Sequence, residues 1–158
     1  MPLDHHVRRV SVLVPRIARN LRLAGLIDSV YHGLTTPQLL TLFILDEAAP
    51  KKLSMTEIAD DLGVSLPTTT GIVDRLVREG LAARAASPED RRVVLVSLTR
   101  AGRSVVVRMV QALDEVMTRV LASVEEGERE AIAQAAERFH ELSVLIRQEN
   151  RQIAEVSE

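Results

Sequence analysis

The chain has 158 residues, enough to bury one hydrophobic core, and 46% of them are hydrophobic whereas only 2% are aromatic. So few aromatic side chains argue against modules that stack single-stranded bases, and the lack of cysteine excludes disulfides, thiolate metal sites and cysteine-based redox sensing. The formal net charge is −2, but basic residues outnumber acidic ones seven to four in residues 71–103, which suits a polyanionic partner, and acidic residues outnumber basic ones eleven to six in residues 104–158.

The N-terminal segment carries apolar residues at alternating steps of three and four, which predicts an amphipathic helix. These residues are Val7, Val10, Val14, Ile17, Leu21 and Ala24. Pro15 interrupts the pattern. Because proline lacks a backbone donor and clashes with the preceding turn, we expect either a kink there or a new helix that begins after a short leading segment.

Two further apolar stripes with the same spacing follow Thr99 and predict amphipathic helices at the C-terminal end. They comprise Val106, Val110, Leu113, Met117, Val120 and Val124, and then Ile132, Ala135, Phe139, Leu142, Ile146 and Ile153. "SVEE" at Ser123 to Glu126 matches a capping box, which would open the last helix. Core packing explains any single stripe, but the middle of the chain supplies only a small core. We therefore predict that helices from both ends form a homodimer interface.

The centre of the chain predicts three helices, Thr36 to Glu47, Met55 to Leu62 and Ser65 to Glu79. "SMTE" fits a capping box that opens the second helix, and Gly63 suits the left-handed residue that ends it. Two short helices joined by a tight turn that contains glycine form a helix-turn-helix, whose second helix can enter the major groove of B-form DNA.

The start of that second helix, "SLPTTT", is rich in short hydroxyl side chains. Ser65, Thr68, Thr69 and Thr70 are predicted to lie on exposed turns, where they can donate to phosphates and contact base edges. The free amides and the positive end of the dipole at a helix N-terminus also favour contact with phosphate. Helix capping alone would also explain such a start, so this pattern is not decisive by itself.

Two short runs, "LAARAA" and "VVLVSL", predict an antiparallel hairpin whose polar tip is "SPEDRR". Arg91 and Arg92 at this tip suit a narrow minor groove or phosphates, because a planar guanidinium forms paired contacts. Phosphate would repel Asp90, so we expect its carboxylate to hold an arginine side chain extended through an ion pair. A solubilising turn is the alternative interpretation.

The chain resembles the MarR family of winged-helix transcriptional regulators over essentially its whole length. The resemblance lies in "LTTPQLLTLFIL" (Leu34 to Leu45), "MTEIADDLGVSLPTTTGIVDRLVREGLAAR" (Met55 to Arg84) and, above all, "SPEDRRVVLVSLTRAG" (Ser87 to Gly102). By this resemblance, Asp90 and Arg92 take the wing positions, with Arg92 the minor-groove candidate, Ser65 to Thr70 begin the recognition helix, Arg75 is buried or faces phosphate, and Arg84 closes the first wing strand. The predicted DNA-binding residues are Ser65, Thr68, Thr69, Thr70, Arg75, Arg84, Arg91 and Arg92, and Asp90 is predicted to orient the wing.

The predicted fold class is mainly α with a small β-hairpin wing, a winged helix-turn-helix flanked by dimerisation helices. We expect three parts, residues 1–35 for dimerisation, 36–99 for DNA binding and 100–158 for dimerisation. Gly71 departs from good helix-forming sequence, since glycine in a helix interior costs up to about 1 kcal/mol relative to alanine. Close helix packing or close approach to DNA would explain it.

These patterns favour a homodimeric regulator that binds double-stranded DNA at a near-palindromic operator as a repressor, and they do not favour an enzyme. The resemblance implies a small anionic or phenolic effector that releases the DNA; Arg16, Arg19, Arg22 and His32 could anchor a carboxylate, although solvated helix faces explain them better. No cofactor, metal or catalytic residue is predicted, because the histidines lack metal-ligand spacing and no phosphate-binding glycine loop or nucleophile elbow occurs.

Two other expectations concern partners and location. The same winged-helix fold could instead serve as a protein-interaction module or anti-regulator, since a fold does not fix a function. No apolar run approaches the roughly 18 residues of a membrane span, and the N-terminus lacks the apolar core of a secretory signal. The sequence therefore predicts no membrane contact and a cytoplasmic location.

Overall fold

A computed structural model describes residues 3–156, apart from the side chains of residues 23, 24 and 150–156. The described part is mainly helical with one small antiparallel sheet, which confirms the predicted fold class. In chain order the elements are α1 Leu3–Asn20, α2 Leu23–Val30, α3 Thr36–Glu47, β1 Leu53–Ser54, α4 Met55–Leu62, α5 Leu66–Arg78, β2 Ala82–Ala86, β3 Val94–Leu98, α6 Arg100–Leu121 and α7 Glu126–Val156. None of the helices in residues 3–156 is long and apolar enough to cross a bilayer.

The chain divides into two compact units, Met1–Glu115 and Val116–Glu158, and the boundary falls inside α6. In the first unit the start of α6 is part of the core, because Val105 and Val106 are buried there. The predicted boundary between the DNA-binding part, residues 36–99, and the C-terminal dimerisation part, residues 100–158, stays a prediction about function. It does not coincide with the boundary between the compact units, because the first turns of α6 pack with the elements that precede them.

The core of the first unit is built from the three central helices and the sheet. Leu42 of α3, Ile58 of α4, Val73 and Leu76 of α5 and Val96 of β3 are all fully buried. Each such aliphatic side chain stabilises the fold by about 1.5–3 kcal/mol relative to an exposed position. This cluster fixes α4 and α5 against each other and against the sheet.

The sheet has the strand order β1-β3-β2, with both pairings antiparallel. The predicted hairpin of β2 and β3 is confirmed, with Ala82 opposite Leu98 and Ala86 opposite Val94. β1 was not predicted, because two residues are too short to show an alternating pattern. Its pairing of Leu53 with Val96 makes β3 the central strand, so the wing is joined to the start of α4.

The predicted capping box opens α4. The backbone N–H of Glu57 donates to Oγ of Ser54 at 3.2 Å, and the N–H of Ser54 donates to Oε2 of Glu57 at 2.7 Å. Lys51 adds an ion pair, with Nζ 2.7 Å from Oε1 of Glu57. These bonds, with that of Lys51 first, lower the pKa of Glu57 to about 2.

Replacing Glu57 by alanine should lower the free energy of unfolding by about 1 kcal/mol at neutral pH, because the cap and the ion pair are lost. The folded-state pKa lies below the ordinary value of 4.5, so this stabilisation is present above that value and is lost as the pH falls toward about 2. Urea unfolding of the wild type and Glu57→Ala at several pH values should show curves that converge in acid. A difference that stays constant with pH would contradict this role of the carboxylate.

Two expectations about helix boundaries are wrong in part. α1 continues through Pro15 as one helix, so no new helix begins there; the chain instead breaks at Arg22, which has a positive φ of 52°. The N-terminal stripe therefore ends before Leu21. "SVEE" is not a capping box, because Oγ of Ser123 donates to the carbonyl of Val120 and the N–H of Glu125 donates to Glu128. Ser123 thus closes α6 rather than opening α7.

The apolar stripes of α1 and α7 lie uncovered within their own units. None of the described residues of α1 is buried, and Val7, Val14 and Ile17 are each about half exposed. On α7, the exposed apolar residues include Phe139, Leu142 and Ile146. The side chain of Ile153, which was predicted to extend this stripe, lies outside the described residues.

Candidate nucleic-acid interface

Ser65 caps the start of α5 and is exposed, as expected. Its Oγ accepts a hydrogen bond from the backbone N–H of Thr68 at 3.4 Å and lies 2.8 Å from the hydroxyl oxygen of Thr68. Pro67 occupies the first turn, where no backbone donor is needed. Because Pro67 has no N–H and the N–H groups of Thr68 and Thr69 bond to Ser65, this turn offers a partner mainly the exposed hydroxyls of Ser65 and Thr68 and the positive end of the helix dipole, an arrangement that suits an anionic partner.

The four hydroxyl residues are not equivalent. Thr69 is fully buried, and its hydroxyl donates to the carbonyl of Ser65 at 3.2 Å, so the expectation that it lies on an exposed turn is wrong. Thr70 is exposed, but its hydroxyl donates to the carbonyl of Leu66 at 2.9 Å. The sequence did contain a signal that Thr69 is buried. It lies four residues before Val73 and seven before Leu76, and this spacing places all three on one face of the helix.

The last two turns of α5 carry two exposed arginines. Nε of Arg75 donates to Oε1 of Glu79 at 2.7 Å, and its side chain is half exposed, so the predicted alternative of a buried position is wrong. Arg78 was not selected from the sequence. It lies three residues beyond Arg75 and faces solvent, which adds a second positive charge to this end of the helix.

Arg84 connects the hairpin to the recognition helix. On β2, its Nη1 forms a hydrogen bond and ion pair with Oδ1 of Asp74 on α5. This guanidinium is therefore engaged within the protein, and its clearest role in the structure is to fix β2 against α5. Sequence reasoning placed Arg84 near DNA but did not find its partner ten residues earlier.

The wing tip is the loop between β2 and β3. The N–H of Arg92 donates to Oδ1 of Asp90 at 2.9 Å, whereas Nε of Arg92 lies 4.0 Å from the same oxygen. Asp90 therefore orders the backbone of the turn more than it holds the arginine side chain. Ser87 donates to Glu89 at 2.6 Å, and this bond lowers the pKa of the Glu89 carboxyl. Both carboxylates of the tip are thus bonded within the loop.

The two arginines of the tip are left to face solvent. The side chain of Arg92 is almost fully exposed. Arg91 is also exposed and forms no hydrogen bond or ion pair with any residue in the part of the chain that the structure describes. An ordered turn that carries two outward guanidinium groups is suited to contacts with phosphate or with a narrow groove.

The segment after β3 anchors the wing to the end of the recognition helix. The hydroxyl of Thr99 donates to the carbonyl of Gly80 at 2.7 Å and accepts from the N–H of Gly102 at 3.0 Å. A Cβ on Gly102 would collide with the carbonyl oxygen of Leu81, so only glycine allows α6 to approach so closely. Contacts within the protein therefore explain Thr99 and Gly102 of the sequence "LTRAG" without any partner.

These elements define a winged helix-turn-helix protein, in which α4 and α5 form the helix pair and β2 and β3 form the wing. Within residues 3–156 no cluster of His, Asp and Glu could hold a metal ion. The family model for the MarR family matches residues 34–94, from two residues before α3 to the first residue of β3. The chain belongs to the MarR family of winged helix-turn-helix transcriptional regulators.

The similar curated proteins are named as helix-turn-helix transcriptional regulators or repressors. The chain is 32% identical over 103 residues to the uncharacterized HTH-type transcriptional regulator YfiV of Bacillus subtilis, a match that covers 65% of this chain and 63% of YfiV. Two other relatives, from B. subtilis and Pseudomonas putida, are named HTH-type transcriptional repressors. The matches span less than two thirds of the length of these curated relatives.

Solved structures match over more of their length. RV1404 from Mycobacterium tuberculosis has a TM-score of 0.77 at 28% identity, covering 89% of this chain and 94% of RV1404. An S. aureus MepR mutant bound to an oligodeoxyribonucleotide has a TM-score of 0.63 at 25% identity, covering 85% and 96%. MepR bound to ethidium bromide has a TM-score of 0.61 at 25% identity, covering 85% and 95%.

Proposed function

We propose that this protein is a homodimeric transcriptional repressor that binds double-stranded DNA at a near-palindromic operator. The observation that carries the proposal is the pair of outward guanidinium groups on an ordered wing, Arg91 and Arg92, in a unit whose recognition helix starts with exposed hydroxyl side chains. The DNA-bound structure of the similar protein MepR and the names of the two repressors support it. A regulator of this kind acts in the cytoplasm.

The proposed contacts follow from the exposure of each side chain. Ser65, Thr68 and Thr70 on α5 meet the major groove, Arg75 reaches phosphate, and Arg91 and Arg92 reach the minor groove or the adjacent phosphates. Thr69 holds α5 on the core, Arg84 fixes β2 through Asp74, and Asp90 shapes the turn. These three residues position the groups that contact DNA and do not contact the DNA themselves.

Dimerisation is proposed from the uncovered apolar stripes of α1 and α7. A helix with an apolar stripe must bury it against another surface to be stable, and each stripe is exposed within its own unit. A second copy of the chain would cover both, and a twofold axis would place two recognition helices about one turn of DNA apart, roughly 34–36 Å.

An effector is the remaining part of the proposal. A small anionic or phenolic molecule would release the operator by favouring a dimer whose recognition helices no longer match two half-sites, which requires that it bind the two states with different affinity. The similar protein MepR binds a small molecule, ethidium bromide. Titrating a phenolic carboxylate into the protein–operator complex and following DNA release by fluorescence anisotropy tests this part; unchanged anisotropy at saturation would remove it.

Selection of bound fragments from fragmented genomic DNA tests the function itself. The purified protein should enrich a few fragments that share a near-palindrome with half-sites about one helical turn apart. Uniform recovery of all fragments, or recovery of none at low salt, would reject a sequence-specific regulator and favour a protein-binding role for the same fold.

A further inference from the structure

The recognition helix contains a glycine that the fold does not explain. Gly71 is the sixth of the thirteen residues of α5, and glycine is the least favourable residue in a helix interior after proline. A Cβ built on Gly71 would meet no atom within 4 Å, and its φ is not positive. Neither internal packing nor backbone conformation therefore requires glycine here, so close packing of α5 inside the chain is not its reason.

Four other glycines occupy positions where the structure requires glycine. Gly33, Gly63 and Gly80 have positive φ values, and Gly102 lies against the carbonyl of Leu81. Gly25 and Gly127 resemble Gly71 because a Cβ on either would also meet nothing, but Gly25 is the third residue of the eight-residue α2 and Gly127 is the second residue of α7. Gly71 is thus the glycine in the middle of a described helix whose missing side chain leaves open space.

That open space lies on the outer face of α5. Thr69, Val73 and Leu76 form the buried face, and helical geometry places Gly71 about half a turn away from it. Pro67 precedes Gly71 by one turn on the same outer side, and the nearby hydroxyl of Thr70 is already bonded to the carbonyl of Leu66. One turn later on this side, Arg75 carries its guanidinium toward solvent with Nε bonded to Glu79, so the surface directly at Gly71 consists of the helix backbone and the carbon atoms of Pro67, with a cation beside it.

We propose that Gly71 is a specificity-determining residue, which lets the backbone of α5 lie against the C5-methyl group of a thymine in the major groove. This inference rests on the proposed function and adds the base that α5 selects. The thymine methyl is the major-groove group that proteins recognise by apolar contact, and glycine is used where a backbone must approach a ligand closely. A Cβ at position 71 would occupy the space of that methyl group.

Gly71→Ala gives two effects of opposite sign. The melting temperature should rise by roughly 2–4 °C, because alanine favours the helix and meets no neighbour in the free protein. Affinity for the selected operator should fall at least about tenfold, the size of effect of a mismatched base pair. Gly127→Ala is the matched control, since it also adds a methyl group in open space, and it should leave operator affinity unchanged.

Uracil substitution identifies the base. Replacing the contacted thymine of each half-site by uracil removes only the C5-methyl, so it should weaken binding of the wild type and restore affinity to Gly71→Ala. If the wild type selects no duplex, the proposed function fails and this inference falls with it. If the wild type binds its operator but Gly71→Ala binds equally well, or if no uracil substitution restores its affinity, this inference is overturned while the proposed function stands.

Discussion

Replacing Arg92 by alanine should weaken operator binding by about 1–3 kcal/mol and lower the slope of log affinity against log salt by about 1 for each wing. The side chain is almost fully exposed, and its Nε lies 4.0 Å from the nearest carboxylate oxygen, so little is lost within the free protein. On DNA, the guanidinium would displace condensed counterions, and this contribution disappears with the side chain.

A control variant distinguishes the loss of the wing contact from a general loss of positive charge. The backbone N–H of Arg92 makes the hydrogen bond to Asp90, so alanine keeps the turn intact. Arg119→Ala on α6 removes the same charge from an exposed position outside the winged helix and serves as the control. Fluorescence anisotropy at several salt concentrations gives affinity and slope together, and sedimentation checks the oligomer. Equal affinity and slope for the wild type and Arg92→Ala would discard the proposed contact.

Replacing Leu142 or Ile146 by aspartate should convert the dimer into monomers and abolish tight operator binding. Both side chains are exposed within the single chain, at 41% and 57%, so a carboxylate there would face water in a monomer. In a dimer that covers this stripe, symmetry would bury the charge in both copies, and an unpaired buried charge costs several kcal/mol. The protomer should therefore stay folded while the assembly is lost.

Circular dichroism and sedimentation velocity distinguish these outcomes. Helical content near that of the wild type with half the mass would support the interface, and operator affinity should fall because a single recognition helix reads one half-site. Gln148→Asp introduces the same charge at an exposed polar position of α7 and should remain dimeric. A dimer that persists in both Leu142→Asp and Ile146→Asp would move the interface away from this stripe.

The bounds of α4 could be predicted because its ends are marked by residues with a local physical role. Ser54 caps α4, and Gly63 ends it in the left-handed conformation, so neighbouring residues determine both boundaries. The hairpin was equally readable, since β-branched residues follow a polar turn. Ser123 shows the limit of this approach, because its hydroxyl can bond either to the helix before it or to the helix after it.

Features that depend on contacts distant in sequence could not be predicted. The pairing of Arg84 with Asp74 joins two elements, and only the packing of β2 beside α5 brings them together. Thr69 is a different case, because its spacing from Val73 and Leu76 indicated the buried face, and the bond from its hydroxyl to the carbonyl of Ser65 makes threonine acceptable in a core. The sequence showed that Gly71 lies in a helix, but it left two explanations open, close packing inside the protein and close approach by a partner. Only the open space around Gly71 in the structure excludes the first of them.

Affinity for a selected genomic duplex, measured at about 50 and about 200 mM salt beside a scrambled duplex of equal length, tests the central claim most directly. A dimer that grips DNA through its wings and recognition helices should bind the selected duplex at least about a thousandfold more tightly, and several phosphate contacts should give a steep loss of affinity with salt. Equal affinity for both duplexes, or binding that does not change with salt, would contradict the account.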